Sequence, residues 1–466
     1  MKTLCSLAIQ TLIGFSYCFA EKPNVLLIAV DDLNDWAGYR GHEQVISPNM
    51  DRLARESVWF SRAYCQYPVC GPSRASLMSG FYFHQLESDT LGISDRDVAK
   101  KAESMGSQLL HSYFGKHGYK TMAVGKILHR HLPDEGLDLS GGRGGWGTLE
   151  DRKGNRLKLQ WQSQKTMTDW GITHERENKM SDSEAADWAR DRLAEEHEEP
   201  FFLMVGFLRP HVPWYVPERY YEMYDPEAIE LPPFLRSDLD DVPDAGKETL
   251  NDGYPRTEWA RENDQWRNMI HAYLASITFV DRKIGQVLDA LEASPHADNT
   301  VVVLWSDHGY HLGEKNTFQK HTLWDRSAKA PLIIKSPANG KGEYDLGRCD
   351  RVVGLIDLYP TLVDLCGLPA NDKVVGRSLK PLLKDRKTKW NYPALTYRKE
   401  GGKSIQYADY RYIEYGDGSM ELYDHGEDPN EWTNLAGNPE YAEVLGEMKE
   451  KFQEAHLEAG EWRQRN

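Results

Sequence analysis

A cysteine with the potential for chemistry stands in the sequence Cys70-Gly71-Pro72-Ser73-Arg74. Residues 69–71 are typical of the end of an extended segment, and Pro72 suits the first turn of a helix because it has no N–H group that needs a partner. Residue 70 is therefore predicted at a helix N-terminus, where free N–H groups and the helix dipole favour an anion. Arg74 adds a positive charge one turn further on. A buried structural cysteine before an ordinary helix is the alternative.

Polar residues follow four of the apolar runs that are interpreted below as strands. The carboxyl ends of such strands form the edge where ligands bind in open α/β sheets, so these residues are expected to converge. Each one alone has a simpler explanation, such as a helix cap or a solvated lysine, and the convergence is the evidence. They are Asp31, Asp32, Lys126, His129, His211, Asp307, His308 and, on the next loop, Lys320.

Three of these residues suggest a site for a divalent cation. Asp31, Asp32 and Asp307 supply the hard oxygen ligands that calcium and magnesium prefer. His308 is the odd member, because imidazole is a poorer ligand for calcium. His211 lies on a stiff loop between two prolines, and such rigidity suits a group that must protonate a leaving oxygen.

Two stretches of the chain resemble the signatures of the type I sulfatases. The first runs from Cys70 to Gly80 and differs at Ser79, where the family usually has threonine. The second is residues 118–129, which differs at Leu128, where an aromatic residue is commoner. The sequence Asp307-His308-Gly309 is similar to that of the iduronate-2-sulfatase-like group. The fold that this resemblance implies is α/β, an alkaline-phosphatase-like sandwich with a mostly parallel central sheet.

The resemblance implies a chemistry for residue 70. In this family the cysteine is oxidised after synthesis to formylglycine (3-oxoalanine), and a hydroxyl of the hydrated aldehyde attacks the sulfur of a sulfate ester. Lys126 and Lys320 then bind sulfate, and His129 holds the hydrate. The positive charge of Arg74 is available to the sulfate or to the aldehyde hydrate. One ion, Ca²⁺ in preference to Mg²⁺, is expected. Its expected ligands are Asp31, Asp32, the hydrated Cys70, Asp307 and, at the edge, His308.

The resulting hypothesis is hydrolysis of carbohydrate sulfate esters, with the 2-O-sulfate of a uronic acid as the leading substrate. A phosphoryl or phosphonate hydrolase of the same superfamily and a non-catalytic carbohydrate-binding relative remain alternatives. An acidic sugar needs further cations, and the sequence suggests Arg209, Lys315, His321 and Arg326. The tryptophans expected to pack either against sugar or in the core are Trp36, Trp214 and Trp324.

The predicted strands and helices that must position these residues alternate along the chain, which favours an α/β fold. Two long segments, residues 136–164 and 237–265, are expected as loops that shape a cleft or cover the surface. The predicted strands of the parallel sheet are residues 25–30, 121–124, 201–205, 301–305 and 331–334. The predicted helices between them are residues 50–56, 107–117, 183–195 and 273–291.

The pattern changes near residue 385 and predicts a smaller α+β subdomain. Its expected strands are residues 403–407, 410–415 and 420–423, followed by a helix over residues 441–456. We therefore predict a catalytic domain over residues 21–385 and a C-terminal subdomain over residues 386–466.

The N-terminal sequence and the net charge predict where the protein acts and what it binds. Residues 1–20 have a positive start, an apolar run and a small residue at Ala20, which predicts a signal peptide. We expect an exported protein, periplasmic or secreted in a bacterium, without a membrane anchor after cleavage. The formal charge of -16 argues against nucleic acid as a partner. The expected partners are a sulfated carbohydrate and a formylglycine-generating maturation enzyme.

Overall fold

The computed structural model describes residues 22–86, 94–150, 156–337 and 342–461. The predicted signal peptide lies outside these residues. None of the helices within the described ranges combines the length and the apolar character needed to cross a bilayer. The strands are β1 (Asn24–Val30), β2 (Val58–Tyr64), β3 (Lys120–Gly125), β4 (Leu139–Ser140), β5 (Leu149–Glu150), β6 (Arg156–Leu157), β7 (Trp170–Ile172), β8 (Phe201–Phe207), β9 (Trp214–Val216), β10 (Thr300–Ser306), β11 (Leu332–Lys335), β12 (Gly347–Gly354), β13 (Ala394–Tyr397), β14 (Lys403–Tyr407), β15 (Tyr410–Glu414) and β16 (Met420–Asp424).

Along the sequence, most of the α-helices fall between strands of the large sheet. They are α1 (Pro48–Arg55), α2 (Cys70–Ser79), α3 (Asp95–Ser104), α4 (Leu110–Lys116), α5 (Ser181–Leu193), α6 (Glu218–Tyr221), α7 (Asp244–Lys247), α8 (Thr257–Glu262), α9 (Trp266–Glu292), α10 (Asp325–Ala328), α11 (Leu358–Leu365), α12 (Lys380–Lys384) and α13 (Ala442–Glu461).

An eight-stranded sheet forms the centre of the molecule, in the order β12-β2-β11-β10-β1-β8-β3-β4. The pairings of β1 with β8 and β10, and of β3 with β8, are parallel. The predicted mostly parallel sheet is therefore confirmed. One strand is different: β11, predicted as parallel, runs antiparallel to both β10 and β2. Its apolar residues are buried in either direction, so their pattern could not reveal its direction.

The two faces of the sheet are both covered, which makes its strands apolar throughout. In β1, Val25 and Leu27 face the cluster that includes side chains of α2, α4 and α11. Leu26 and Ile28, which alternate with them, face the cluster that includes side chains of α1, α5 and α9. This arrangement is the predicted layered α/β architecture.

The C-terminal part contains a four-stranded antiparallel sheet in the order β13-β14-β15-β16. Helix α13 contacts β13, β14 and β15. Side chains of this sheet, such as Ile405 and Leu422, belong to the same apolar cluster as one face of the large sheet. The predicted α+β character is confirmed, whereas the exact boundary at residue 385 stays a prediction.

Candidate active site

Neighbouring strands of the large sheet bring the predicted residues to one edge. Asp31 and Asp32 follow β1, and Asp307 follows β10, which pairs with β1. Lys126 follows β3, and His211 lies on the loop after β8. Because β10, β1, β8 and β3 are consecutive in the sheet, segments far apart in sequence meet at their carboxyl ends.

Cys70 is the first residue of α2 and lies in the middle of this edge. Its Sγ atom is 2.8 Å from Nζ of Lys320, 3.3 Å from Nε2 of His308 and 3.5 Å from Oδ1 of Asp32. Only 3% of the residue is exposed, and burial together with the charge of Asp31 raises the pKa of the Cys70 thiol well above its usual value. As an unmodified thiol, residue 70 is therefore a poor nucleophile.

Arg74 is fully buried and joins the elements of the site. Its Nε atom donates to Oδ2 of Asp307 at 2.7 Å, and its Nη2 atom lies 3.4 Å from Oδ1 of Asp31. Nη1 donates to the backbone carbonyls of Lys126 and Ile127. The sequence suggested a charge aimed at the anion, but the structure gives Arg74 the job of fixing two carboxylates and the backbone after β3.

Two lysines neutralise the aspartates that follow β1. Lys126 Nζ donates to Oδ2 of Asp31 at 2.5 Å, and Lys320 Nζ donates to Oδ1 of Asp32 at 2.6 Å. Burial would raise the pKa of both aspartates, but the positive charges outweigh burial. They hold the pKa of Asp31 well below its usual range and bring that of Asp32 to about 2.

The predicted metal ligands fit a divalent cation. One ligand atom from each of Asp31, Asp32, Cys70 and His308 lies within 4.8 Å of the others. Nδ1 of His308 donates to the carbonyl of Gly309 at 2.9 Å, and this contact orients Nε2 towards the cluster. Nε2 is 3.3 Å from a carboxylate oxygen of Asp32, an arrangement that a cation between them would stabilise.

Further observations support the same fit. Oδ2 of Asp32 is buried without a hydrogen-bond partner among the described residues. Asp307 is not part of the tightest group, but its Oδ1 atom is 3.7 Å from Nε2 of His308 and accepts from the backbone N–H of Asp32 at 3.2 Å. The residues present can therefore hold a divalent cation.

Two histidines flank the centre. Nε2 of His211 is 4.0 Å from Oδ2 of Asp32, and its Nδ1 atom contacts the carbonyl of Val212. Burial lowers the pKa of His211 to about 3, although Asp32 opposes the effect. Burial and then Lys126 lower the pKa of His129 to about 4. Both rings are therefore neutral at neutral pH in the free protein.

Two glycines fix the backbone on which Lys126 stands. The N–H group of Lys126 donates to the carbonyl of Gly206 at 3.1 Å, across the pairing of β3 with β8. A Cβ atom on Gly125 would lie 1.9 Å from that same carbonyl oxygen, and a Cβ atom on Gly206 would lie 2.2 Å from the carbonyl oxygen of Lys126. Gly125 also has a φ of 79°, which glycine adopts without strain.

Comparison with known proteins agrees with this site. The family model for sulfatases matches residues 23–368, which is most of the chain. The protein belongs to the sulfatase family. A second model, for the C-terminal region of N-sulphoglucosamine sulphohydrolase, matches residues 313–458. Members of the family are sulfuric ester hydrolases that generally use a formylglycine and a divalent metal, and the buried cluster at Cys70 is compatible with both.

Two relatives illustrate the likeness. This sulfatase is 40% identical over 453 residues to a sulfatase of Formosa agariphila, covering 92% of this chain and 86% of that protein. It is 30% identical over 387 residues to the iduronate 2-sulfatase of Mus musculus, covering 74% of this chain and 69% of that protein. The predicted likeness to the iduronate-2-sulfatase-like group is confirmed.

Solved structures share the fold. BT4656, solved with its substrate D-glucosamine-2-N,6-O-disulfate, matches with a TM-score of 0.73 and 22% identity, over 95% of this chain and 99% of that one. A phosphonate monoester hydrolase of Agrobacterium radiobacter matches with a TM-score of 0.73 and 21% identity, over 94% of this chain and 96% of that one. Since proteins named for different esters share this fold, the fold alone does not determine which ester is cleaved.

Three of the cations expected to bind an acidic sugar are already engaged by other groups in this sulfatase. Lys315 donates to Oδ1 of Asp238 at 2.5 Å, and Nη1 of Arg326 donates to Oδ1 of Asp35 at 3.0 Å. Arg209 is buried and donates to three backbone carbonyls. His321 is half-buried, 3.4 Å from the hydroxyl of Tyr254, and is the member of the set that remains near the site.

The three tryptophans expected to pack against sugar or in the core are core residues. Trp36, Trp214 and Trp324 are 6%, 0% and 1% exposed. Trp214 packs edge-on against Tyr273, and Trp324 donates its Nε1 hydrogen to Glu421. Their sugar-binding interpretation is wrong, because tertiary packing has enclosed the rings.

Two other residues near the centre were not found from the sequence. Trp146 and Arg143 lie in the segment 136–164, whose only signal was its many glycines and charges. The Trp146 ring centroid is 5.9 Å from that of His129 and 6.3 Å from that of His211. Glycine-rich loops have no periodicity, so the sequence could not show which of their side chains point to the site.

Proposed function

We propose that this sulfatase hydrolyses sulfate esters of acidic sugars, using a formylglycine derived from Cys70. The observation that carries the proposal is the position of Cys70. It begins a helix inside the cation-ligating cluster, with Lys320 at hydrogen-bonding distance of its Sγ atom. When it is oxidised and hydrated, residue 70 supplies a hydroxyl that can displace the sugar oxygen from sulfur.

Side chains around residue 70 have separate tasks. Lys126 and Lys320 place positive charge beside the sulfate oxygens, where negative charge must be stabilised. His211 gives a proton to the departing sugar oxygen, because the negative charge of a bound sulfate ester raises its pKa. His129, neutral in the free protein, accepts the proton that residue 70 releases when sulfate departs.

Asp31, Asp32 and Asp307, with residue 70 and His308, would hold the divalent cation. Oxygen ligands dominate this set, which favours Ca²⁺ or Mg²⁺ over softer ions, and we propose Ca²⁺. The ion supplies Lewis-acid stabilisation of negative charge on the sulfate. Arg74 keeps Asp31 and Asp307 at the required separation by contacting both.

The proposed substrate is a uronic acid with a 2-O-sulfate, within a polysaccharide fragment. Support comes from the iduronate 2-sulfatase of Mus musculus among the relatives. We further propose that the protein is exported by means of residues 1–20, and that a maturation enzyme oxidises Cys70 in the motif containing Pro72 and Arg74.

A comparison of an aryl sulfate with the matching aryl phosphate tests the reaction. Matured protein, in which peptide mass spectrometry detects the aldehyde at residue 70, should cleave the sulfate much faster. A Cys70→Ala variant should lose both the aldehyde and the activity. Faster cleavage of the phosphate would support the phosphoryl hydrolase instead, and full activity with an unoxidised Cys70 would refute the formylglycine assignment.

A further inference from the structure

A glycine-rich loop of residues 141–147, with the sequence Gly-Gly-Arg-Gly-Gly-Trp-Gly, lies beside the reaction centre. It is attached at both ends. The carbonyl of Gly142 accepts from the N–H group of Gly125 at 2.7 Å, and the carbonyl of Gly147 accepts from Nη2 of Arg209 at 3.1 Å. Arg209 also donates to the carbonyl of His211, so this buried arginine connects the glycine-rich loop to the loop that carries His211.

Trp146, in this loop, is next to three residues of the proposed machinery. Its ring centroid is 5.5 Å from Nζ of Lys126, in addition to the contacts with His129 and His211. The side chain is half-buried, unlike the three core tryptophans, so part of its surface remains accessible. A substrate whose sulfate reaches Lys126 and whose leaving oxygen reaches His211 must place its leaving group close to the Trp146 ring.

Arg143 stacks on Trp146, with its Cζ atom 3.3 Å from the ring centroid. Nη1 donates to the carbonyls of Gly144 and Gly145. Nε and Nη2 are buried without an acceptor, and no acidic side chain of the described residues forms an ion pair with Arg143. Burial lowers the pKa of Arg143 to about 10, which still leaves it charged at neutral pH.

An unpaired, half-buried guanidinium is unusual in a chain with a formal charge of -16. Buried polar groups normally have partners, because leaving them unsatisfied costs free energy. An oxyanion with two oxygens matches the geometry of a guanidinium and would satisfy Arg143. The catalytic lysines already contact Asp31 and Asp32, so Arg143 is a separate source of positive charge near the centre.

We propose that Trp146 and Arg143 form the subsite for the leaving group and select a sulfated sugar that carries a second anionic group. This inference rests on the proposed function and names the residues that recognise its substrate. The Trp146 ring packs against the sugar, as aromatic side chains do in many binding sites. The unpartnered N–H groups of Arg143 bind the second anion, which is either a uronate carboxylate or a further sulfate.

An Arg143→Gln variant, compared with the wild type on three substrates, tests whether the charge of Arg143 binds the second anion. The three substrates are a sulfated uronate disaccharide, a disulfated sugar without a carboxylate, and a monosulfated neutral sugar. We expect kcat/KM to fall about 10- to 100-fold on a substrate with a second anion but less than about 3-fold on the neutral sugar, because loss of a charged hydrogen bond removes a tenfold or larger factor. The anionic substrate with the larger loss identifies the group that Arg143 binds.

Two further variants complete the experiment. Arg130→Gln makes the same change of charge at an exposed neighbouring position and should preserve the ratio of acidic to neutral substrate. Trp146→Ala should raise KM for all three sugars. Trp146→Phe keeps an aromatic ring and should return KM most of the way to the wild-type value. Thermal unfolding curves matching those of the wild type show that each variant is folded.

Several results would overturn the subsite. One is an equal loss on acidic and neutral sugars in Arg143→Gln, and another is no loss on any of them. A wild-type enzyme that cleaves aryl sulfates but no sulfated acidic sugar also overturns it and leaves the sulfatase reaction intact. A matured wild-type enzyme that cleaves no sulfate ester at all overturns the proposed function itself.

Discussion

Individual charges at the centre balance one another before any ligand binds. Asp31, Asp32 and Asp307 are opposed by Arg74, Lys126 and Lys320, all of them buried. These six groups therefore offer no excess positive charge to an anionic ester, within a chain that is negative overall. A divalent cation would supply that excess, which is a physical reason for a metal at this site.

Removal of one metal ligand should therefore remove both ion and activity. We expect Asp307→Ala to lower kcat/KM about 100-fold or more, because the ion contributes several kcal/mol of charge stabilisation. Elemental analysis of the purified variant should show loss of the bound metal. In the wild type, a chelator should abolish activity and added Ca²⁺ should restore it. A fully active enzyme without metal would contradict the assignment.

The effect of replacing His211 on turnover should depend on the leaving group. A sugar alkoxide is a poor leaving group that needs a proton, whereas an aryl oxide leaves readily without one. His211→Ala should therefore reduce turnover of a sugar sulfate by about 100- to 1000-fold and that of an activated aryl sulfate less than about tenfold. His174→Ala, at an exposed position, is the control. Similar losses on both substrates would show that His211 is not the proton donor.

Larger elements support these residues from a distance. The segment after β10, which carries His308 and Lys320, is attached to the C-terminal sheet at separate points. Arg398 donates to the carbonyl of His321 at 2.8 Å, and Arg411 on β15 forms an ion pair with Asp325 at 2.9 Å. The small sheet therefore helps to hold in place the segment that carries the proposed site residues His308 and Lys320.

Substitution of Arg411 tests how strongly this attachment stabilises the protein. It is fully buried and contacts both Asp325 and Glu431, so its removal takes a buried cation from two carboxylates. Asp325 then keeps Lys329 at 3.3 Å and Glu431 keeps His425 at 2.8 Å. We expect Arg411→Met to destabilise the protein by about 3–5 kcal/mol in urea unfolding. The exposed pair of Arg348 with Asp350 offers a control, and Arg348→Met should cost less than about 1 kcal/mol. Equal effects of the two variants would refute the argument.

Sequence patterns predicted the elements that are apolar and continuous, such as β1, β8 and β10. They missed β2 and β12, in which apolar residues alternate with Arg62, Arg348 and Asp350 or other polar groups. The predicted site residues converge because strand ends are local features. The predicted sugar-binding cations failed because pairing is not local: Lys315 meets Asp238 across 77 residues of sequence.

At the scale of the whole molecule, buried histidines couple folding to pH. His111 on α4 is fully buried, and burial lowers its pKa to about 4. An unfolded histidine titrates near 6.5, so between these values the unfolded chain binds more protons than the folded one. Stability should therefore fall as the pH decreases from 6.5 towards 4.

A His111→Gln variant separates this contribution from other acid effects. Between pH 7.5 and pH 5, the free energy of unfolding of the wild type should fall by about 2 kcal/mol more than that of the variant, from the difference between the two pKa values. Urea unfolding at both pH values gives the comparison. Parallel losses in wild type and variant would show that His111 does not report on folding in this range.

The close approach of the backbone at Gly125 and Gly206 limits which parts of this enzyme can change in sequence. Neither residue has a side chain to offer a substrate, yet any Cβ atom there meets backbone rather than a side chain that could move aside. A saturation library selected for activity would score both positions as intolerant as the catalytic residues, and only a parallel measurement of protein abundance would tell them apart. New specificities should therefore arise by change in the segment 136–164, while this pair of glycines stays constant.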